Sequence, residues 1–112
     1  MTLYNILAAK NGIQKLVGQD LPLKTAYRLS KIVRRVNEEL DFFREKEAEL
    51  KAKHEYKVPA NEYEELLRLE IDWDEPKVEI PLDENVSLSA ADVEALDEFV
   101  EFKEVNENAQ NQ

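Results

Sequence analysis

The side chains able to do chemistry in this sequence fall into three groups. His54 is the lone histidine, set among Lys51, Lys53, Glu55 and Lys57. A general base needs a positioned partner and a substrate, and one histidine makes no histidine-rich metal centre. His54 therefore reads as a solvated surface residue. Asp72, Asp74 and Glu75, with Asp83 and Glu84 following, make the acidic group. Carboxylates two residues apart on a strand point the same way, so Asp72 and Asp74 could share a cation or divide acid and base roles. The glycine and ligand spacing of an EF-hand loop are missing, however. The outward face of an amphipathic strand pair would have the same composition. Arg28, Lys31, Arg34 and Arg35 form the basic group, with Arg28, Lys31 and Arg35 spaced by three and four along one helical stripe. Such a stripe could meet phosphate. Because the remaining chain is acidic, its expected partners are carboxylates of the second half or of another protein, and nucleic acid is not expected.

The elements that must position these groups follow from hydrophobic period. Leu3, Ile6, Leu7, Ile13, Leu16 and Val17 recur at helical spacing, and Gly18 follows as a stop. Asp20 is the expected cap of a second helix that begins near Pro22. In that helix Ala26, Leu29, Val33, Val36, Leu40 and Phe43 alternate steps of three and four, a heptad seam that Glu47 interrupts and Leu50 resumes. No glycine or proline lies between Leu23 and His54, which predicts one helix of about 45 Å at 1.5 Å per residue. Its charged end, from Glu47 to Lys57, is expected to project into solvent and fray. Asn61 with Glu64 resembles a capping box for a short helix through Tyr63, Leu66 and Leu67.

The period then changes to two. Leu69, Ile71 and Trp73 alternate with acids, as do Val78, Ile80 and Leu82 with Glu79 and Pro81, around Glu75-Pro76. This predicts a hairpin over 69–82, with Pro81 on an edge strand. Its apolar face should pack on the long helix, since a lone hairpin is marginal in water. Ser89 and Asp92 open a last helix presenting Val93, Leu96, Phe99 and Val100 on one face. The predicted fold is therefore mainly α with a small β-hairpin (α+β): a short helix, a long helix forming a helical hairpin, then the strand pair and a short helix. Residues 1–103 form one domain and 104–112 a disordered tail.

Composition agrees with long, solvent-washed helices. Of 112 residues, 43% are apolar and 36% charged, and two glycines and four prolines are too few for a sandwich or barrel. The absence of cysteine rules out a disulfide framework and thiolate chemistry. No apolar run is long enough to span a bilayer, and Met1 to Asn5 lack the basic flank and apolar run of a signal peptide. A cytoplasmic protein is the expectation. The net charge of −10 is unevenly split: residues 1–60 hold twelve Lys/Arg against eight Asp/Glu, whereas residues 61–112 hold three against seventeen. That asymmetry shapes association and solubility rather than fold.

Some segments carry a resemblance. Leu21-Pro22-Leu23-Lys24 opens the long helix and Leu40-Asp41-Phe42-Phe43-Arg44 lies within it. Tyr63-Glu64-Glu65-Leu66-Leu67 leads into Glu70-Ile71-Asp72, and Leu88-Ser89-Ala90-Ala91-Asp92 into Leu96-Asp97-Glu98-Phe99-Val100. In this order the chain resembles a group of small phage and prophage proteins of Gram-positive hosts. The resemblance implies a viral origin, and because that group has no assigned activity it transfers no site residue.

The expected function is binding rather than catalysis, with no cofactor and no metal. No phosphate-cradling glycine loop, nucleophile elbow or metal-binding helix motif occurs. The leading expectation is an interaction or assembly protein, virion-associated if viral, that self-associates or holds a protein partner. The expected contact residues are the seam positions Val33, Val36, Leu40, Phe43 and Leu50, together with Asp72, Trp73, Asp74 and Glu75. The alternative is an acidic inhibitor that presents its carboxylates as a phosphate mimic to a host DNA-handling or defence protein.

Overall fold

The computed structural model describes residues 1–82 and 86–104. Helix α1 (Leu3–Val17) buries Leu3, Ile6, Ala9, Ile13 and Leu16 along one stripe. Its first turn is closed by the Thr2 amide, which donates to Asn5 Oδ1 at 2.8 Å. Gly18 caps it in ordinary right-handed geometry (φ −81°), so the glycine ends the helix without using its conformational freedom.

Helix α2 (Leu23–Lys53) begins at Pro22, not at the expected cap Asp20. Proline needs no amide partner at a helix start, and the Pro22 carbonyl accepts from Ala26 N–H at 2.9 Å. With 31 residues the helix runs about 46 Å, and the molecule measures 64 × 23 × 22 Å. One side of α2 packs on α1, then on the strand layer, and finally on helix α3 (Ala60–Leu67). Helix α3 starts at Pro59, so the expected Asn61–Glu64 capping box does not form.

The mainly helical α+β class holds, but the two strands do not make a hairpin. The run Leu69–Ile71 pairs instead with the N-terminus: Leu3 N–H donates to the Leu69 carbonyl at 2.9 Å and Ile71 N–H to the Met1 carbonyl at 2.8 Å. Strand β1 (Val78–Leu82) pairs in parallel with β2 (Val100–Glu104), in the register Val78↔Val100 through Leu82↔Glu104. A parallel pair needs a crossover, and helix α4 (Ala90–Ala95) lies within it. Ser89 caps α4, its hydroxyl accepting from Asp92 N–H at 3.1 Å. The expected last helix is therefore short. Leu96, Phe99 and Val100 are buried, whereas Val93 is exposed and Val100 already belongs to a strand. Glu104, assigned to the tail by the sequence, closes β2, and the rest of that tail, 105–112, lies outside the described residues.

A single core joins these layers. Leu3, Ile6, Leu16, Ile32, Val36, Ile80, Leu96 and Phe99 are its largest fully buried members, each worth about 1.5–3 kcal/mol in apolar transfer.

Candidate functional site

Of the expected contact residues, Val36, Leu40 and Phe43 are buried within the chain itself. The seam of α2 is thus not a free surface for self-pairing. Long as it is, the helix is covered in succession by α1, β1 and α3. Past Phe43 the seam turns polar, and α3 answers it with polar side chains. Tyr63 donates its hydroxyl to Glu47 at 2.8 Å, while its ring meets Phe43 edge-on at 6.2 Å. That hydrogen bond, reinforced by burial, raises the Tyr63 phenol above its ordinary pKa. One heptad beyond Glu47, His54 contacts Glu62 through Nε2, and Lys53 lies 3.6 Å from the same carboxylate. The charged end of α2 is therefore a docked helical arm rather than a frayed one, and His54 holds α3 instead of standing in solvent.

The arm turns at Glu55 and Tyr56, both in left-handed backbone (φ 55° and 69°). The Tyr56 amide reaches back to the Lys51 carbonyl at 2.8 Å, the closing bond of a Schellman motif. Leu50, half-buried, lines an open groove between α2 and α3 of about 450 Å³ with Phe42, Leu66 and Leu69. Its rim is mixed in sign: Lys46 pairs with Glu49 at 3.3 Å and Lys53 with Glu62.

Trp73 stands edge-on to Phe99 at 5.0 Å, and the Arg35 guanidinium lies 5.8 Å from its ring centre. Arg35 also donates to the Asp72 carbonyl at 3.1 Å and pairs with Glu39. Asp72 and Asp74 are exposed and Glu75 is half-buried in a shallow cleft with Lys31, Arg34, Arg35 and Glu38. Among the described residues no group of three potential metal ligands gathers around these acids. The expected pairing of the basic stripe with carboxylates of the acidic half is not formed among the described residues: Arg35 pairs with Glu39 of its own helix and reaches the second half only through the Asp72 backbone carbonyl.

The rest of the stripe is free. Lys24, Arg28, Lys31 and Arg34 have no carboxylate partner among the described residues; Lys31 sits over the Tyr27 ring at 4.8 Å. Beside them is a group of exposed apolar residues. At the elbow where α1 gives way to α2, Leu23 is 86% exposed and Val17 and Tyr27 are each 56% exposed. Leu23 and Tyr27 are one turn apart on α2 and so share a face. Next to them a cavity of about 170 Å³ is lined by Leu16, Val17, Leu21, Ala26, Leu29 and Val33. Of the expected contact residues Val33 borders this surface, beside the seam positions Ala26 and Leu29. Of this surface Arg28, Lys31 and Arg34 were legible in the sequence, whereas Lys24, Val17, Leu23 and Tyr27 were not. The signal was there in Leu23 and Tyr27, which fall off the heptad seam on the outward side.

Comparison with protein-family models, with curated proteins and with solved structures gives no match to this chain. No helix among the described residues is long and apolar enough to cross a membrane.

Proposed function

We propose that this chain is a non-enzymatic interaction protein, an assembly or accessory factor, whose elbow docks an acidic partner that carries apolar anchors. The observation that carries this reading is the coincidence of exposed Val17, Leu23 and Tyr27 with Lys24, Arg28, Lys31 and Arg34 at one end of the molecule. Single exposed apolar residues are ordinary, but a contiguous group rimmed by charge and adjoining an apolar cavity is what docking surfaces have. Four cations that make no ion pair among the described residues would steer a negatively charged segment, and the apolar group would retain it. Phage or prophage origin, drawn from resemblance, fits a small accessory factor of this kind. The alternative of a phosphate mimic has support from exposed Asp72 and Asp74. Against it, the Arg35 guanidinium bonds to the Asp72 backbone carbonyl and so brings a cation into the same region.

The test is affinity capture from native cells at low and moderate salt, with wild type beside Leu23→Ser/Tyr27→Ser and Arg28→Glu/Lys31→Glu, each variant checked for native circular dichroism. The elbow reading expects a protein held by wild type and lost by both variants. A partner retained by both variants refutes it. A DNA-handling protein retained by both, lost as salt rises and lost on neutralising Asp72 and Asp74, would put the acidic mimic in its place.

A further inference from the structure

The sheet has an unfinished edge. Strand β2 packs on β1 alone among the named elements, whereas β1 also lies on α2. Backbone polar groups alternate sides along a strand, and Val78 N–H donates to the Phe99 carbonyl at 3.2 Å. Phe99, Glu101 and Lys103 therefore direct their amides and carbonyls towards β1. Those of Phe102 and Glu104, and the Val100 carbonyl, point away, while the Val100 amide is taken by the Leu96 carbonyl at 3.0 Å. Among the described residues nothing on the backbone pairs with this outer edge. The opposite edge of the sheet is blunted: by the same alternation Glu79 and Pro81 face it, and Pro81 has no amide to offer. An open strand edge is a template for another strand.

We infer that β2 pairs with β2 of a second copy, antiparallel about a two-fold axis at Phe102, to make a continuous four-stranded sheet. The sequence of the edge selects both the occupant and the register. Centred on Phe102, the two Phe102 residues form a hydrogen-bonded pair, and each Glu104 amide meets the Val100 carbonyl of the other copy. On the solvent face the same register sets Glu101 opposite Lys103 of the second copy, twice by symmetry. Centring on Glu101 or Lys103 instead would set identical charges opposite each other. Within one copy Glu79 and Glu101 are neighbours in register, both exposed, and the cation near them is Lys103, 3.2 Å from Glu101. The second copy's lysine brings a second cation to these two carboxylates. On the inner face Val100 is buried and Phe102 half-buried, so pairing would also cover the exposed part of the Phe102 ring. This edge is separate from the elbow, and the pairing stands whether or not the elbow reading does.

Sedimentation velocity across a concentration series tests the pairing on the intact chain, alongside hydrogen exchange resolved at single amides. Wild type should move from its 13.1 kDa monomer mass to twice that value. The Phe102 and Glu104 amides should gain protection in step with concentration. Lys103→Glu and Glu101→Lys, each placing like charges opposite, should weaken association about tenfold or more. The double variant Glu101→Lys/Lys103→Glu restores opposite charges in reversed order and should restore the dimer. A monomer at every concentration overturns the inference, as does a dimer unmoved by the single reversals. Protection of Phe102 and Glu104 independent of concentration would show the edge occupied from within the chain, and would overturn it equally.

Discussion

Replacing Gly12 by alanine sets two effects of known size against each other. Gly12 sits in the interior of α1, where alanine is favoured over glycine by about 0.8–1.0 kcal/mol. On propensity alone Gly12→Ala should stabilise the fold. A methyl group there, however, would lie 2.9 Å from Leu96 Cδ1, 3.0 Å from Leu96 Cγ and 3.4 Å from Asp92 Cβ. Leu96 is fully buried, and its Cγ cannot swing aside as a chain end could. Overpacking of this kind costs about 1–3 kcal/mol, so the clash should win by about 1 kcal/mol. Urea unfolding followed by circular dichroism would read this directly, with a fall in Tm of about 4–8 °C per kcal/mol. A second background makes the test decisive. Leu96→Ala alone should cost about 2–5 kcal/mol, but once it has cleared the space, Gly12→Ala should become stabilising. The sign change is the coupling between the two positions. If Gly12→Ala stabilises the wild type, or shifts both backgrounds equally, the close approach of α1 and α4 at this glycine is wrong.

Glu55→Gly should stabilise the protein by about 0.5–1 kcal/mol, because Glu55 holds left-handed backbone at the end of α2 where an L side chain is penalised and glycine is not; an unchanged urea midpoint would refute it. Acid sensitivity should depend on Asp92, whose carboxylate is held below its ordinary pKa by Lys15, 2.6 Å away, and then by Ser89. A depressed folded value gives stability that is present above the unfolded pKa of about 3.9 and is lost as pH falls through the folded one. Wild type should therefore lose stability over that acid range faster than Asp92→Asn, and parallel profiles would count against the pair.

Elements of strong, long period were legible in the sequence, and pairings between them were not. Both long helices lie where apolar spacing puts them, and Gly18 ends α1 as expected. The strand error has a specific cause. Leu69–Trp73 and Val78–Leu82 both alternate around a turn, and adjacency in sequence made them look like each other's partners. In the structure Leu69 bonds to Leu3 and Ile71 to Met1, 66 and 70 residues away, which no local pattern encodes. The true partner of β1 was hidden because Val93, Leu96, Phe99 and Val100 already satisfied a helical period, which masked the alternation of Val100-Glu101-Phe102-Lys103. Gly12 passed unnoticed for a related reason: its value lies in what approaches it from α4. The candidate site was half legible. The cations stood out by composition, whereas the apolar group at the elbow required knowing which side of α2 is covered.

The polar residues in the α2 seam limit what the longest helix can pair with. An uninterrupted heptad seam running on past Phe43 would present a strip able to pair with another copy in several registers. Glu47 and His54 break it, and each is matched by a particular residue of α3, Tyr63 and Glu62. A helix sliding by one turn against α3 would strand both pairs, leaving part-buried polar groups without their partners, which costs free energy. The seam is thereby committed to one internal partner at one register. The features that the fold leaves open lie elsewhere: an elbow, where Leu23 and Tyr27 face away from the core, and a sheet of two strands that ends on β2.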